Sequence, residues 1–372
     1  MVQSKIRIIY IVNVDWFFIS HRLPLALEAQ KRGYEVTIAT TNTGRFKELE
    51  ALGFKLYDLK IVRSGSNPLK EFFSIIRLIK ILKSVKPTVI HNVTLKMSIY
   101  CSIAVRFIQI TKVINAISGL GYNFTADRKT RSQKIIHTLM KFAFSKRGFS
   151  FIFQNPDDLQ LFKNLKFGQG NKLYLIKGAG VDLEKFKFSE QKKRNKISFI
   201  LIARMLKDKG ISEFITSSKI VSTKYPNTRF ILVGDVDKEN PASFIKDELN
   251  KELSGTNVEW LGHRYDIIEL LQESDVMVFP SYREGLPKSL IEAAAVGLPI
   301  ITTDTVGCRE CVDEGINGFL VPIGNSNILA QKMIELIENP AMMKKMGKAS
   351  RVKAEKEFSL NMVIEKTFEL YE

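Results

Sequence analysis

Residues 197–210 read ISFILIARMLKDKG: a seven-residue run without a charge, then a basic turn with Arg204 and Lys209 that closes on Gly210. A continuous apolar run, as opposed to an alternating one, predicts a parallel strand covered on both faces. The same signal opens the chain at 6–12 (IRIIYIV) and recurs at 35–40, 54–59, 88–91, 112–117, 150–154 and 173–177. After 197–203 it returns at 229–233, 257–261, 275–279 and 299–303. Helical patterns fill the gaps, as at Leu23–Arg32, which Gly33 ends. Repeated strand–helix alternation predicts an α/β fold, a doubly wound sheet made twice over. Two Rossmann-like domains facing a central cleft would hold a ligand at the carboxyl ends of their strands.

A length of 372 residues fits two domains, each with its own core. The boundary falls between Gly178 and Lys196, where GAGVD offers a hinge and SEQKKRNK a charged linker. The expected division is 1–180 and 181–357, with the amphipathic helix 358–372 packing back on the first domain. With 45% apolar and 26% charged residues, the composition excludes a disordered or collagenous chain. Three cysteines point to a reducing compartment. No run of 18 uncharged apolar residues occurs, and Met1–Ile9 leaves no room for a cleaved leader. The expectation is a cytoplasmic protein.

The net charge of +17 is unevenly placed: residues 1–180 carry 29 Lys/Arg against 10 Asp/Glu, and 181–372 carry 27 against 29. One domain alone therefore suits a polyanion, either nucleic acid or an anionic lipid surface. No helix-turn-helix, zinc-finger or RNP signature is present, so the membrane surface is the better reading and no nucleic acid is expected. Arg128–Arg147 (RKTRSQKIIHTLMKFAFSKR) supports it, with basic ends bracketing Ile135, Ile136, Leu139, Met140, Phe142 and Phe144. Leu69–Lys86 has only a narrow polar stripe and reads as a core helix packed on a sheet, with a membrane anchor as the alternative.

The most informative segment is Ser281–Gly297, SYREGLPKSLIEAAAVG. It follows an apolar strand and opens a helix near Pro287, whose first N–H groups favour a phosphate. Glu284 and Glu292 could grip hydroxyl groups on either side of that phosphate. The alternative is one capping and one solvated glutamate. Arg204 and Lys209, projecting from the end of ISFILIA, look like a diphosphate clamp in that setting.

The stretch EGLPKSLIEAAAVGLPIITTDTVGCRECVDEGINGFLVP, with ARMLKDKG and GAGVD before it, resembles glycosyltransferase family 4, retaining enzymes of the GT-B fold. WFFISHRLPLALEAQKRGYEV and NAISGLGYNF resemble the branch that extends polyprenyl-diphosphate-linked glycans of bacterial surface polysaccharides, among them N-acetylgalactosaminyltransferases. The resemblance implies that Glu284 holds donor-sugar hydroxyls and Glu292 the nucleotide ribose. Arg204 and Lys209 would neutralise the leaving diphosphate, and Gly285 and Leu286 would seat sugar and phosphate. Arg264 and Tyr265, in GHRY, would meet the nucleobase. The donor would be a UDP-sugar carrying GalNAc, GlcNAc or another hexose, and the acceptor a lipid-linked glycan at the inner membrane face.

On the acceptor side, His91 at the end of the fourth strand, Lys96, His21, Gly119 and Gly121 are the candidates. Two departures from the family bear on them: Val93 replaces a second histidine after His91, and NVDWFF replaces the glycine-rich turn after the first strand. Asp235-Val-Asp237 has metal-site spacing but follows a strand like an ordinary turn, so no metal is expected, and no cofactor beyond the donor. Cys308 and Cys311 cannot complete a zinc site alone. Three alternatives stay open: a transferase with a soluble acceptor, a non-catalytic polyanion-binding relative, and a nucleotide-sugar epimerase.

Overall fold

The computed structural model describes residues 6–61, 68–110, 112–120, 131–189 and 196–372. It divides into two compact units, one of residues 1–179 with 364–372 and one of residues 180–363. The first is a seven-stranded sheet of β1 (Arg7–Val14), β2 (Glu35–Thr41), β3 (Lys55–Asp58), β4 (Val89–Val93), β5 (Lys112–Ile117), β6 (Phe149–Phe153) and β7 (Lys172–Leu175). Its order is β3-β2-β1-β4-β5-β6-β7, and all pairs are parallel. The second is built from β8 (Ser198–Ile202), β9 (Arg229–Val233), β10 (Val258–Trp260), β11 (Val276–Phe279), β12 (Ile300–Thr303) and β13 (Gly318–Val321). Its order is β10-β9-β8-β11-β12-β13, again all parallel. In each sheet the winding reverses beside the first strand, between β1 and β4 and between β8 and β11. Ligands of doubly wound sheets bind at that reversal, outside the carboxyl ends.

The cores follow from the apolar runs. In the first unit Ile9, Ile11 and Ile90 pack under the helices Pro68–Val85, Leu95–Ala104 and Arg131–Phe144. Phe144, Phe151, Phe153 and Phe162 close that layer, Phe144 and Phe151 edge to face and the other pairs tilted. In the second unit the strands of β8, β9, β11 and β12 are buried almost throughout.

The opposite face of the first sheet carries Tyr10 and His91, paired in register across β1 and β4. The far end of the chain covers them. The Tyr371 hydroxyl lies 3.1 Å from that of Tyr10 and 2.7 Å from His91 Nδ1, and Lys112 Nζ donates to the Tyr371 carbonyl at 3.1 Å. Arg32 sits over the Phe368 ring at 4.0 Å and pairs with Glu365. His91 is thus not the cleft-facing residue expected from sequence: it lies mid-strand and 1% exposed. Continuous burial on both sheet faces gave no signal of which way it points.

Burial, and secondarily the Arg22 charge, pushes His91 well below its ordinary pKa. The folded chain therefore binds that proton less readily than the unfolded one. The stability so gained is full above the unfolded value of about 6.5 and is lost as pH falls below it. Urea unfolding should show wild type losing stability between about pH 7.5 and 5.5 faster than His91→Gln, by up to about 1.4 kcal/mol per pH unit. Parallel pH curves for the two proteins would contradict this.

Candidate functional site

The second unit's site is built from the loops that leave β8, β11 and β12. After β8, the chain makes a 3-10 turn at Lys207–Lys209 and enters the helix Ile211–Lys224 through Gly210. Gly210 has φ +72°, and a Cβ there would lie 2.1 Å from the Pro280 carbonyl oxygen. That close approach lets Tyr282 N donate to the Asp208 carbonyl at 2.9 Å. The β12 loop is laced to the same segment: Thr305 Oγ1 donates to the Tyr282 carbonyl at 2.8 Å, and Glu284 N to the Val306 carbonyl at 3.0 Å. Three loops distant in sequence are thereby fixed at one sheet edge.

On this frame Lys209 Nζ lies 2.5 Å from Glu284 Oε1, with both side chains largely buried. Ser281 Oγ also donates to Oε1, at 2.8 Å. Among the described residues no donor reaches Glu284 Oε2. Burial works to lower the Lys209 pKa, but the charges of Glu284 and Asp208 outweigh it and hold the ammonium above its ordinary value. Arg204 Nη1 lies 2.6 Å from Asp237 Oδ2. Asp237 was legible in the sequence only as half of an Asp-x-Asp pair. Its companion Asp235 approaches Lys246 at 4.0 Å and accepts from Val236 N, so the two carboxylates serve separate partners.

Glu284 lies before the helix Lys288–Val296, in the loop, so the Glu284–Glu292 interval is only partly helical. Glu292 is 8% exposed, which excludes the solvated glutamate considered above. Burial raises its pKa, while Lys288 at 2.9 Å opposes the rise. Pro287 caps the helix with extended backbone, and Leu286 is buried beside it, with Gly285 next in line. Arg264 and Tyr265 lie beyond the carboxyl end of β10; Arg264 pairs with Asp266 at 2.5 Å, and Tyr265 is highly exposed beside His263. Cys308 and Cys311 are fully buried, and burial, with Glu284 adding to it, pushes the Cys308 thiol up to about 12.

In the first unit the reversal point is tied by Thr94 Oγ1, which donates to Asn13 Oδ1 at 2.9 Å. Thr94 has φ +79° and ψ 155°, a conformation costly for a threonine and concentrated at functional sites. Neither residue was singled out from sequence, because a strained φ leaves no mark on residue choice here. Lys96, two residues on, pairs with Glu71 at 2.8 Å. His21 closes the short helix Asp15–His21 and stacks on Phe17, ring centroids 4.0 Å apart. Arg22, next to it, is buried at the start of Leu23–Lys31. Gly119, with φ +138°, bends the chain after β5, and Gly121 lies outside the described residues. His91, under Tyr371, does not join this edge.

Comparison with known proteins matches residues 7–155 to the group described as glycosyl transferase 4-like and residues 182–353 to glycosyl transferases group 1. The chain is 30% identical over 94% of its length and 94% of the relative's to the N,N'-diacetylbacillosaminyl-diphospho-undecaprenol alpha-1,3-N-acetylgalactosaminyltransferase of Campylobacter jejuni. It is 26% identical to the UDP-Gal:alpha-D-GlcNAc-diphosphoundecaprenol alpha-1,3-galactosyltransferase of Escherichia coli, over 82% of this chain and 80% of that one. Among solved structures, HepE of Anabaena in complex with UDP and glucose superposes with a TM-score of 0.76 at 17% identity, over 97% and 98% of the two chains.

The laced loops give a stability test. A Cβ on Gly307, at φ +80°, would lie 2.5 Å from the Glu284 carbonyl oxygen, whereas Gly315, at φ +71°, has nothing within 4 Å. Both alanine variants carry backbone strain of about 1–3 kcal/mol, and only Gly307→Ala adds the clash. Calorimetry should show the larger drop in unfolding midpoint for Gly307→Ala; equal drops would mean the loop simply gives way.

Proposed function

The chain belongs to the glycosyltransferases, with a 4-like domain followed by a group 1 domain in the GT-B fold, and from that premise we propose that it transfers a hexose or hexosamine from a UDP-sugar to a polyprenyl-diphosphate-linked glycan, with retention of configuration. The observation that carries the reading is the pair of cations fixed at the reversal point of the second sheet: Lys209, largely buried against Glu284, and Arg204, held by Asp237. The diphosphate of the donor lies against those cations and the first turn of Lys288–Val296. Glu284 Oε2 accepts a sugar hydroxyl, and Glu292 accepts from the ribose. Positive charge preorganised where the leaving group develops its own charge lowers the barrier most. The anomeric carbon–phosphate oxygen bond breaks as the acceptor oxygen bonds on the same face, and the acceptor proton passes to the leaving diphosphate.

In this reading the first unit binds the acceptor, and the basic excess of residues 1–180 supports its lying on an anionic membrane, at the inner face. Among the described residues no helix is long and apolar enough to cross a membrane. The helix Arg131–Phe144 is apolar on two sides: Met140, Ala143 and Phe144 enter the core, while Ile135, Leu139 and Phe142 are exposed. Lys134 and Lys141 are exposed between them. An outward stripe at i, i+4 and i+7 flanked by lysines suits insertion at the headgroup level.

UDP release from a panel of UDP-sugars, with and without lipid-linked acceptor, tests the reaction. Release from one donor should depend on the lipid acceptor and be lost in Glu284→Ala. Arg204→Ala should lower kcat by about 100- to 1,000-fold. Release with a soluble glycan and no lipid would instead make it a transferase with a soluble acceptor. Serine at Ile135, Leu139 and Phe142 together should abolish sedimentation with anionic vesicles while leaving the unfolding midpoint unchanged; undiminished sedimentation would remove this helix from the membrane contact.

A further inference from the structure

The helix Pro68–Val85 is a core helix for most of its length, with Leu78, Ile81 and Leu82 buried. Its first turns differ. Leu69, Phe72 and Phe73 are 70%, 59% and 65% exposed, large apolar groups that a stable surface does not need there. Between them, Glu71 turns the other way and pairs with Lys96 at 2.8 Å. Lys96 in turn lies 5.5 Å from the centre of the Tyr100 ring. Since a crossover helix starts where the preceding strand ends, this end of the helix lies at the carboxyl edge of the first sheet, the edge that holds Asn13 and Thr94.

We infer that Leu69, Phe72 and Phe73 seat the isoprenoid tail of a diphosphate-linked acceptor whose diphosphate is met by Lys96. This deepens the proposed function and rests on it. Three facts select an amphiphile over a purely polar or purely apolar ligand. The apolar strip and the cation are joined through one residue, Glu71, which precedes Phe72 and bonds Lys96. The strip stops after two turns, at the binding edge, and does not run along the helix as a membrane-lying face would. The surrounding half of the chain is strongly basic, which complements a ligand carrying a diphosphate. Glu71 holds the ammonium in place until the diphosphate displaces it.

The test compares a geranyl-diphosphate-linked with an undecaprenyl-diphosphate-linked acceptor in detergent micelles, where no bilayer is present. Wild type should show a lower KM for the long chain. Phe72→Ser with Phe73→Ser should erase that preference, raising KM for the long-chain acceptor about tenfold with kcat held. Phe107→Ser, an equally exposed phenylalanine beyond the helix Leu95–Ala104, should keep the preference. Lys96→Met should raise KM for both acceptors. A preference retained in the double variant overturns the inference. So does a preference lost on vesicles but kept in micelles, because the bilayer would then be what the phenylalanines touch. Wild type inactive with either acceptor, although UDP-sugar and acceptor are both present, overturns the transferase reading and this inference with it.

Discussion

Parallel pairing is the constraint from which the rest follows. A parallel strand cannot be reached by a tight hairpin, so each connection crosses over a sheet face and returns to the same edge. All loops that leave the strands therefore gather along one edge of each sheet. Residues as distant as Lys209, Glu284 and Val306 meet there without a ligand to recruit them. The glycines at 210 and 307 then set how closely those loops approach. The geometry of the site is thus a by-product of sheet construction, and its chemistry depends on which side chains occupy the edge.

Two cations near one another repel, and burying one of them costs desolvation free energy. In the second unit each has its own carboxylate, Lys209 with Glu284 and Arg204 with Asp237. Such pairs contribute little net stability, since desolvation offsets their attraction. Their effect is positional: they hold flexible chains in one arrangement, and Glu284 keeps the lysine protonated despite its burial. The Lys288–Glu292 pair does the same for the second glutamate of the segment.

The strands were legible because burial on both faces demands an unbroken apolar run. β13 was missed because four residues headed by Gly318 sit among turn residues, Gly315 and Asn317, and are too short to stand out. The cations and glutamates of the second unit were legible as a local pattern of charge after a strand. Their partners were not. Asp237 reaches Arg204 from the next strand's loop, and Glu71 reaches Lys96 from a neighbouring helix, so the pairs depend on register that no local pattern encodes. His91 was read as ending its strand toward the cleft for a related reason: its partner, Tyr371, lies 280 residues away.

That last distance bears on the order in which the molecule is made. The first unit is discontinuous, since residues 364–372 belong to it and the whole second unit is synthesised in between. A nascent chain that has finished β7 already holds its seven strands, yet lacks the side chains that cover Tyr10 and His91. The sheet must wait on the ribosome with two polar rings uncovered, and its final closure is a contact of the longest sequence separation, the slowest kind to form. The first half to emerge is therefore the last to be completed.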